Sequence, residues 1–133
     1  MSITNKLGNT LLVVVSLLVS ETTISSSLGD SIVGTYKGEI EGSSAMYKAV
    51  TEFSLDSNGR IIGAYTWQEV GGSPSGKLYN CTEKLEIRQV ICNWHDKLGI
   101  GVMDIYFSED YKSFSGEWND EGSSRKHQWN GKR

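Results

Sequence analysis

The chain predicts an all-β protein, an eight-stranded antiparallel up-and-down barrel behind an N-terminal signal peptide. Three observations predict it: glycine and large aromatic residues recur together from Gly34 to Arg133, apolar and polar residues alternate with period two, and turn-forming residues separate the alternating runs. The recurring groups are Gly34-Thr35-Tyr36-Lys37-Gly38, Gly63-Ala64-Tyr65-Thr66-Trp67, Phe114-Ser115-Gly116-Glu117-Trp118 and Trp129-Asn130-Gly131-Lys132-Arg133. Their spacing puts rings and glycines on one face of successive short strands, as a closed sheet requires where side chains crowd and strands bend. No long segment of the region carries a helical apolar stripe.

The N-terminal element is an export signal. Lys6 and the initiator amine are the only positive groups before the apolar run Leu11-Leu12-Val13-Val14-Val15-Ser16-Leu17-Leu18-Val19. A spanning helix needs roughly 20 apolar residues, whereas a secretory core needs only about 7 to 15. Small polar residues follow, so Ser25 and Ser27 suit peptidase recognition, with Ser20 as a second candidate. A buried core helix is the competing reading of the same run. Residues 1–27 are accordingly assigned to the signal and 28–133 to a single barrel domain. That leaves about 105 residues, enough to bury roughly two thirds of the unfolded chain's surface. No cysteine stands just after the run, so no lipoprotein signal is read. The expectation is a secreted or periplasmic protein with no stable membrane anchor after cleavage.

Strands follow in order. Segment 34–40 is the first. In the second, Tyr47, Ala49, Thr51, Phe53 and Leu55 share one face against Lys48, Val50, Glu52 and Ser54. Asp56-Ser57-Asn58-Gly59 then turns the chain into strand 60–68, since Asn-Gly tolerates positive φ. The glycine-rich loop 71–76 holds the only proline. Short strands 77–80 and 90–94 flank the cysteines, and 101–108 is the sixth strand. A turn at 109–112 leads into 113–118, where Phe114, Gly116 and Trp118 face one way. A polar loop, 119–124, precedes the last strand, 125–132, in which His127, Trp129 and Gly131 share a face. Closure into a barrel removes the exposed edges that invite aggregation. A two-layer sandwich is the alternative.

Cys81 and Cys92 are the only cysteines, and in an exported chain such a pair closes into a disulfide. A metal site is the competing reading, but His95 is the only nearby histidine, and no metal or other cofactor is expected. Asn80-Cys81-Thr82 matches the glycosylation acceptor pattern, which a bonded Cys81 would hinder. Thirteen Lys and Arg stand against sixteen Asp and Glu, interspersed along the chain, so a nucleic-acid partner has little electrostatic support.

Residues that could carry catalysis are few. Asp104, Glu109, Asp110, Asp120 and Glu121 fall mostly in turns, where acidic side chains cap the backbone. His95 and Asp96 are adjacent in segment 94–99, and neighbours on extended backbone point apart. His127 is read as barrel lining or rim. There is no phosphate-binding glycine loop, nucleophile elbow or zinc-helix signature. The remaining candidates are Tyr65, Trp67, Trp94, Trp118 and Trp129. One reading makes them core. The other makes them the walls of a pocket at one barrel mouth.

At these residues the chain resembles the avidin and lipocalin (calycin) group of small barrels. Gly34-Thr35-Tyr36 resembles the Gly-x-Trp opening of the first strand, and the hairpin from Thr51 to Gly63-Ala64-Tyr65 resembles the second avidin hairpin. Ser113-Phe114-Ser115-Gly116-Glu117-Trp118 resembles a Thr-Trp-Ser-Gly-x-Tyr strand, and His127-Gln128-Trp129 a Thr-x-Trp strand. On that alignment the final avidin strand has no counterpart. Gly38 also stands where avidins place a biotin-binding asparagine, and Phe114 replaces a tryptophan. Arg133 resembles the lipocalin arginine that packs on the first-strand aromatic, here Tyr36.

The resulting expectation is a non-enzymatic exported barrel that binds a small, partly apolar ligand through Tyr65, Trp67, Trp94, Trp118 and Trp129. A second class is a protein-binding module, an inhibitor or immunity protein that meets a secreted partner through segments 69–76, 94–99 or 119–126. An enzyme ranks third. An exposed Trp94 beside a filled barrel would favour protein recognition, and an empty aromatic mouth would favour the ligand.

Overall fold

Period-two alternation sends Ala49, Thr51 and Phe53 to one side of their strand, and in the computed structural model, which describes residues 28–133, that side is the interior of a closed barrel. The strands are β1 (Gly34–Glu41), β2 (Met46–Leu55), β3 (Ile61–Trp67), β4 (Ser75–Lys84), β5 (Gln89–Asp96), β6 (Gly99–Phe107), β7 (Ser113–Asp120) and β8 (His127–Lys132). Each runs antiparallel to the next, and β8 returns to β1 in a register from Lys37↔Lys132 to Ile40↔Trp129. The sandwich alternative is therefore set aside. The segment assigned to the signal, 1–27, lies outside the described residues.

The glycine–aromatic groups fall on the inner face as expected. Tyr36, Tyr65, Phe114 and Trp129 are buried, each with a glycine two residues away in the same phase, and Trp67 is buried four residues from Gly63. Glycine is needed where backbones approach closely. At the closing seam Gly38 lies opposite Gly131, and a Cβ on Gly38 would overlap the Asn130 carbonyl.

One end of the barrel is plugged. A single helical turn, α1 (Leu28–Ile32), buries Leu28 and Ile32 completely. Beneath it Tyr36, Phe53, Phe107 and Phe114 form a cluster with ring centroids 5.5 to 5.9 Å apart, mostly edge to face. This geometry suits the ring quadrupoles and adds about 0.5–1.5 kcal/mol per pair beyond area burial. The Arg133 guanidinium sits 5.0 Å from the Tyr36 ring centroid. Its Nη1 donates to Val33 O and its Nη2 to Ser31 O, each at 2.7 Å, satisfying carbonyls at the end of α1. The Tyr36 hydroxyl donates to Ile32 O at 2.9 Å. The sequence expectation contained no helix here, because five residues are too few to display a period.

Several boundaries differ from expectation. The Asp56 turn is a five-residue connection between paired Leu55 and Ile61, and only Gly59 takes positive φ. Asp56 Oδ1 accepts from Asn58 N and Arg60 N, holding the Asp56 carboxyl below the usual carboxylate range. β4 and β5 outrun the expected 77–80 and 90–94, because a bulge between Tyr79 and Thr82 shifts the phase of alternation. β5 continues through His95 and Asp96, so the expected loop 94–99 shrinks to a tight turn at Lys97 and Leu98. β7 likewise reaches Asp120, and the last strand starts at His127 rather than at Arg125. On the avidin alignment that strand was penultimate. Here it closes the barrel.

Cys81 and Cys92 are bonded to each other across β4 and β5, beside the bulge. Cys92 is buried in the core and Cys81 partly so. Asn80, the glycosylation candidate, is exposed on the bulge at φ 51°. Replacing both cysteines by alanine is expected to lower unfolding free energy by about 3 kcal/mol, from restored freedom in the denatured chain. Urea denaturation with and without the pair measures this. A loss under about 1 kcal/mol would show that the ladder holds the register without the bond.

Candidate ligand cavity

The opposite end stays open. Around it lie the last residues of β1, β3, β5 and β7 and the first of β2, β4, β6 and β8. The barrel here encloses a cavity of about 410 Å³. Its lining includes all five aromatic residues singled out from the sequence: Tyr65 and Trp67 from β3, Trp94 from β5, Trp118 from β7 and Trp129 from β8. Ile40 and Tyr47 complete the apolar wall. Trp94 is 4% exposed, an inward strand residue and not a protruding loop residue.

Ring packing fixes the walls. Tyr65 meets Trp129 edge to face at 4.8 Å and stacks with Trp67 at 5.9 Å, while Trp94 meets Trp118 at 5.4 Å and 89°. Every indole N–H is already engaged by the protein. Trp129 Nε1 donates to Thr51 Oγ1 at 3.0 Å, Trp67 Nε1 to Glu69 Oε1 at 2.8 Å, Trp94 Nε1 to Asn119 O at 3.2 Å and Trp118 Nε1 to Glu41 O at 2.9 Å. The Tyr65 hydroxyl donates to Asp96 Oδ2 at 2.6 Å. These bonds hold the rings in fixed orientations and commit their polar hydrogens to the protein.

Carboxylates were missed as part of this site. Glu41, Glu69, Asp96 and Asp120 line the cavity, with no Lys or Arg in the lining. The sequence offers Asp96 as a neighbour of His95 and as part of the recognition segment 94–99, and the two side chains diverge: Asp96 turns inward to Tyr65, and His95 is exposed on the outer face. Asp120 had been read as a turn residue. A signal for three of them was present as Trp67-Gln68-Glu69, Trp94-His95-Asp96 and Trp118-Asn119-Asp120. An acid two positions after an inward tryptophan keeps the tryptophan's phase on a strand.

Glu69 also pairs with Lys97 at 3.2 Å, and bonds from Trp67 and then Lys97 hold its carboxyl below the usual range. His127 is buried and stacks on Trp118 at 4.3 Å. Among the described residues its Nδ1 has no hydrogen-bond partner, and it lies 3.9 Å from Glu41 Oε2. The other acids considered from the sequence sit elsewhere: Asp104 accepts from Gln89 Nε2, and Asp110 caps the turn at Ser108 and Lys112. Among the described residues no group of three or more His, Cys, Asp or Glu is arranged to hold a metal ion.

Burial first, and then the bond to Asp96, push the Tyr65 hydroxyl well above the ordinary tyrosine value of 10.0; burial does the same to Tyr36 against the opposing charge of Arg133. Both raised values favour the folded state below pH 10.0 and withdraw that contribution at higher pH, because the unfolded chain ionises there first. Stability is therefore expected to decline above about pH 10, and less steeply in Tyr65→Phe. Denaturation midpoints measured across that range, with tyrosinate absorbance followed in parallel, check it. Ionisation of all tyrosines before unfolding would contradict it.

Protein-family models, curated proteins and solved structures show no match to this chain. The site is thus characterised by its own residues.

Proposed function

We propose that the protein is an exported, non-enzymatic barrel that binds a small, partly apolar ligand in the aromatic cavity. The observation that carries this reading is the convergence of Tyr65, Trp67, Trp94, Trp118 and Trp129, from four strands, on one cavity. Its volume falls within the usual range for small-molecule sites, about 300–1,000 Å³. One end of the barrel is a packed plug and the other is left open, as a rigid container requires. The disulfide supports an oxidising compartment and hence export. Among the described residues no helix is long and apolar enough to cross a membrane. The packing of Arg133 on Tyr36 supports the lipocalin-like side of the resemblance.

Tryptophan fluorescence, titrated with a panel of small hydrophobic molecules and with biotin, tests the reading. Saturable quenching or a spectral shift at micromolar ligand is the expected result. No response from any member would count heavily against it. Protein recognition remains a second reading because Val70 and Leu98 stand exposed on loops at the same mouth. Failure to recover a stoichiometric partner with the intact barrel, and recovery of one lost in Val70→Ser/Leu98→Ser, are its opposing outcomes.

A further inference from the structure

We infer that the cavity takes an organic cation, an amine or quaternary ammonium carried on an apolar body. This rests on the reading of the open end as a ligand site and adds the charge of the ligand to it. Two independent features of the cavity carry it.

The first is the inventory of donors and acceptors. The four indole N–H groups and the Tyr65 hydroxyl hydrogen are spent on protein acceptors. The rings therefore present π faces, which are negative, and no free donor. A ligand rich in acceptors, such as a carboxylate, finds only the Ser43 and Tyr47 hydroxyls in the lining able to donate side-chain hydrogen bonds. A ligand rich in donors finds carboxylate oxygens.

The second is charge. The Trp-x-acid repeat sets Glu69, Asp96 and Asp120 two residues beyond an inward tryptophan on β3, β5 and β7, at the same mouth. Lys97 compensates Glu69 alone. The Asp96 carboxylate accepts from Tyr65 and from Leu98 N; among the described residues it has no cationic partner, and the Asp120 carboxylate makes no bond. A cation entering the mouth is attracted by the ring quadrupoles and by these acids, of which Asp96 is half-buried and Asp120 is exposed at the rim. An anion meets the same field with the opposite sign.

Calorimetry and tryptophan fluorescence with three probes of one shape test the inference: phenethylamine, phenethyl alcohol and hydrocinnamate, all at neutral pH. The amine is expected to bind about tenfold or more tighter than the alcohol, with hydrocinnamate weakest and added salt weakening the amine alone. Asp120→Asn and Asp96→Asn are expected to lower the ratio of amine to alcohol affinity by about five- to tenfold. Retained alcohol binding shows that the variants keep a folded cavity. Equal binding of amine and alcohol, or amine binding indifferent to both substitutions, overturns the cationic assignment and leaves the ligand-binding reading standing. Silence with all three probes overturns the cationic assignment, and silence with the hydrophobic panel as well overturns both.

Discussion

Phe53→Ala is expected to lower the unfolding free energy by about 4 kcal/mol. Phe53 is buried and packs against Tyr36, Phe107 and Phe114 at 5.6 to 5.9 Å. Truncation removes the transfer energy of the ring and leaves a dry void beneath α1, which the closed sheet cannot collapse to fill. Equilibrium denaturation measures the loss. The open end behaves differently, since it already holds a cavity: the fraction of Phe53→Ala that remains folded is expected to bind ligand as the parent does. A loss under about 1 kcal/mol would show that the plugged end is not the packed part of the core.

Gly38→Val is expected to open the barrel. The β1–β8 ladder is short, running from Lys37↔Lys132 to Ile40↔Trp129, and Gly38 sits within it opposite Gly131. A side chain at Gly38 would overlap the carbonyl of Asn130 and the Cα of Gly131, which are backbone atoms and cannot swing aside as a side chain can. Relief requires separation of the two strands. The expected cost is about 3 kcal/mol or more, and the separated strands would present unpaired edges. Thermal melting with size-exclusion chromatography checks both parts: a lower midpoint accompanied by oligomers is the expected outcome. A monomer with the parent's midpoint would mean that the seam has slack the geometry does not show.

These two positions also mark how far the sequence was legible. Phe53 was assigned to an inward face from alternation alone, and the β2 register places it there. Trp129 and His127 were read on one face and both are buried. The five aromatic residues proposed to wall a pocket all reach one cavity, although their selection rested on ring type and strand phase. Asp96 and Asp120 were passed over because segments 94–99 and 119–124 look polar and turn-like. Strand pairing overrode that local preference, carrying β5 and β7 two residues further and keeping the acids in phase with Trp94 and Trp118.

The order of residues by itself determined that there are eight strands, the inward faces of β2, β7 and β8 and the pairing of Cys81 with Cys92, because alternation, turn chemistry and cysteine count act over a few neighbouring positions. Which mouth is sealed and which is open was decided only by tertiary structure. Arg133 must reach Ser31 and Val33 from the far end of the chain to hold the α1 plug, and the four tryptophans meet only once β8 pairs with β1. Such contacts join residues whose separation leaves no local signature, so they exist only after the sheet has closed.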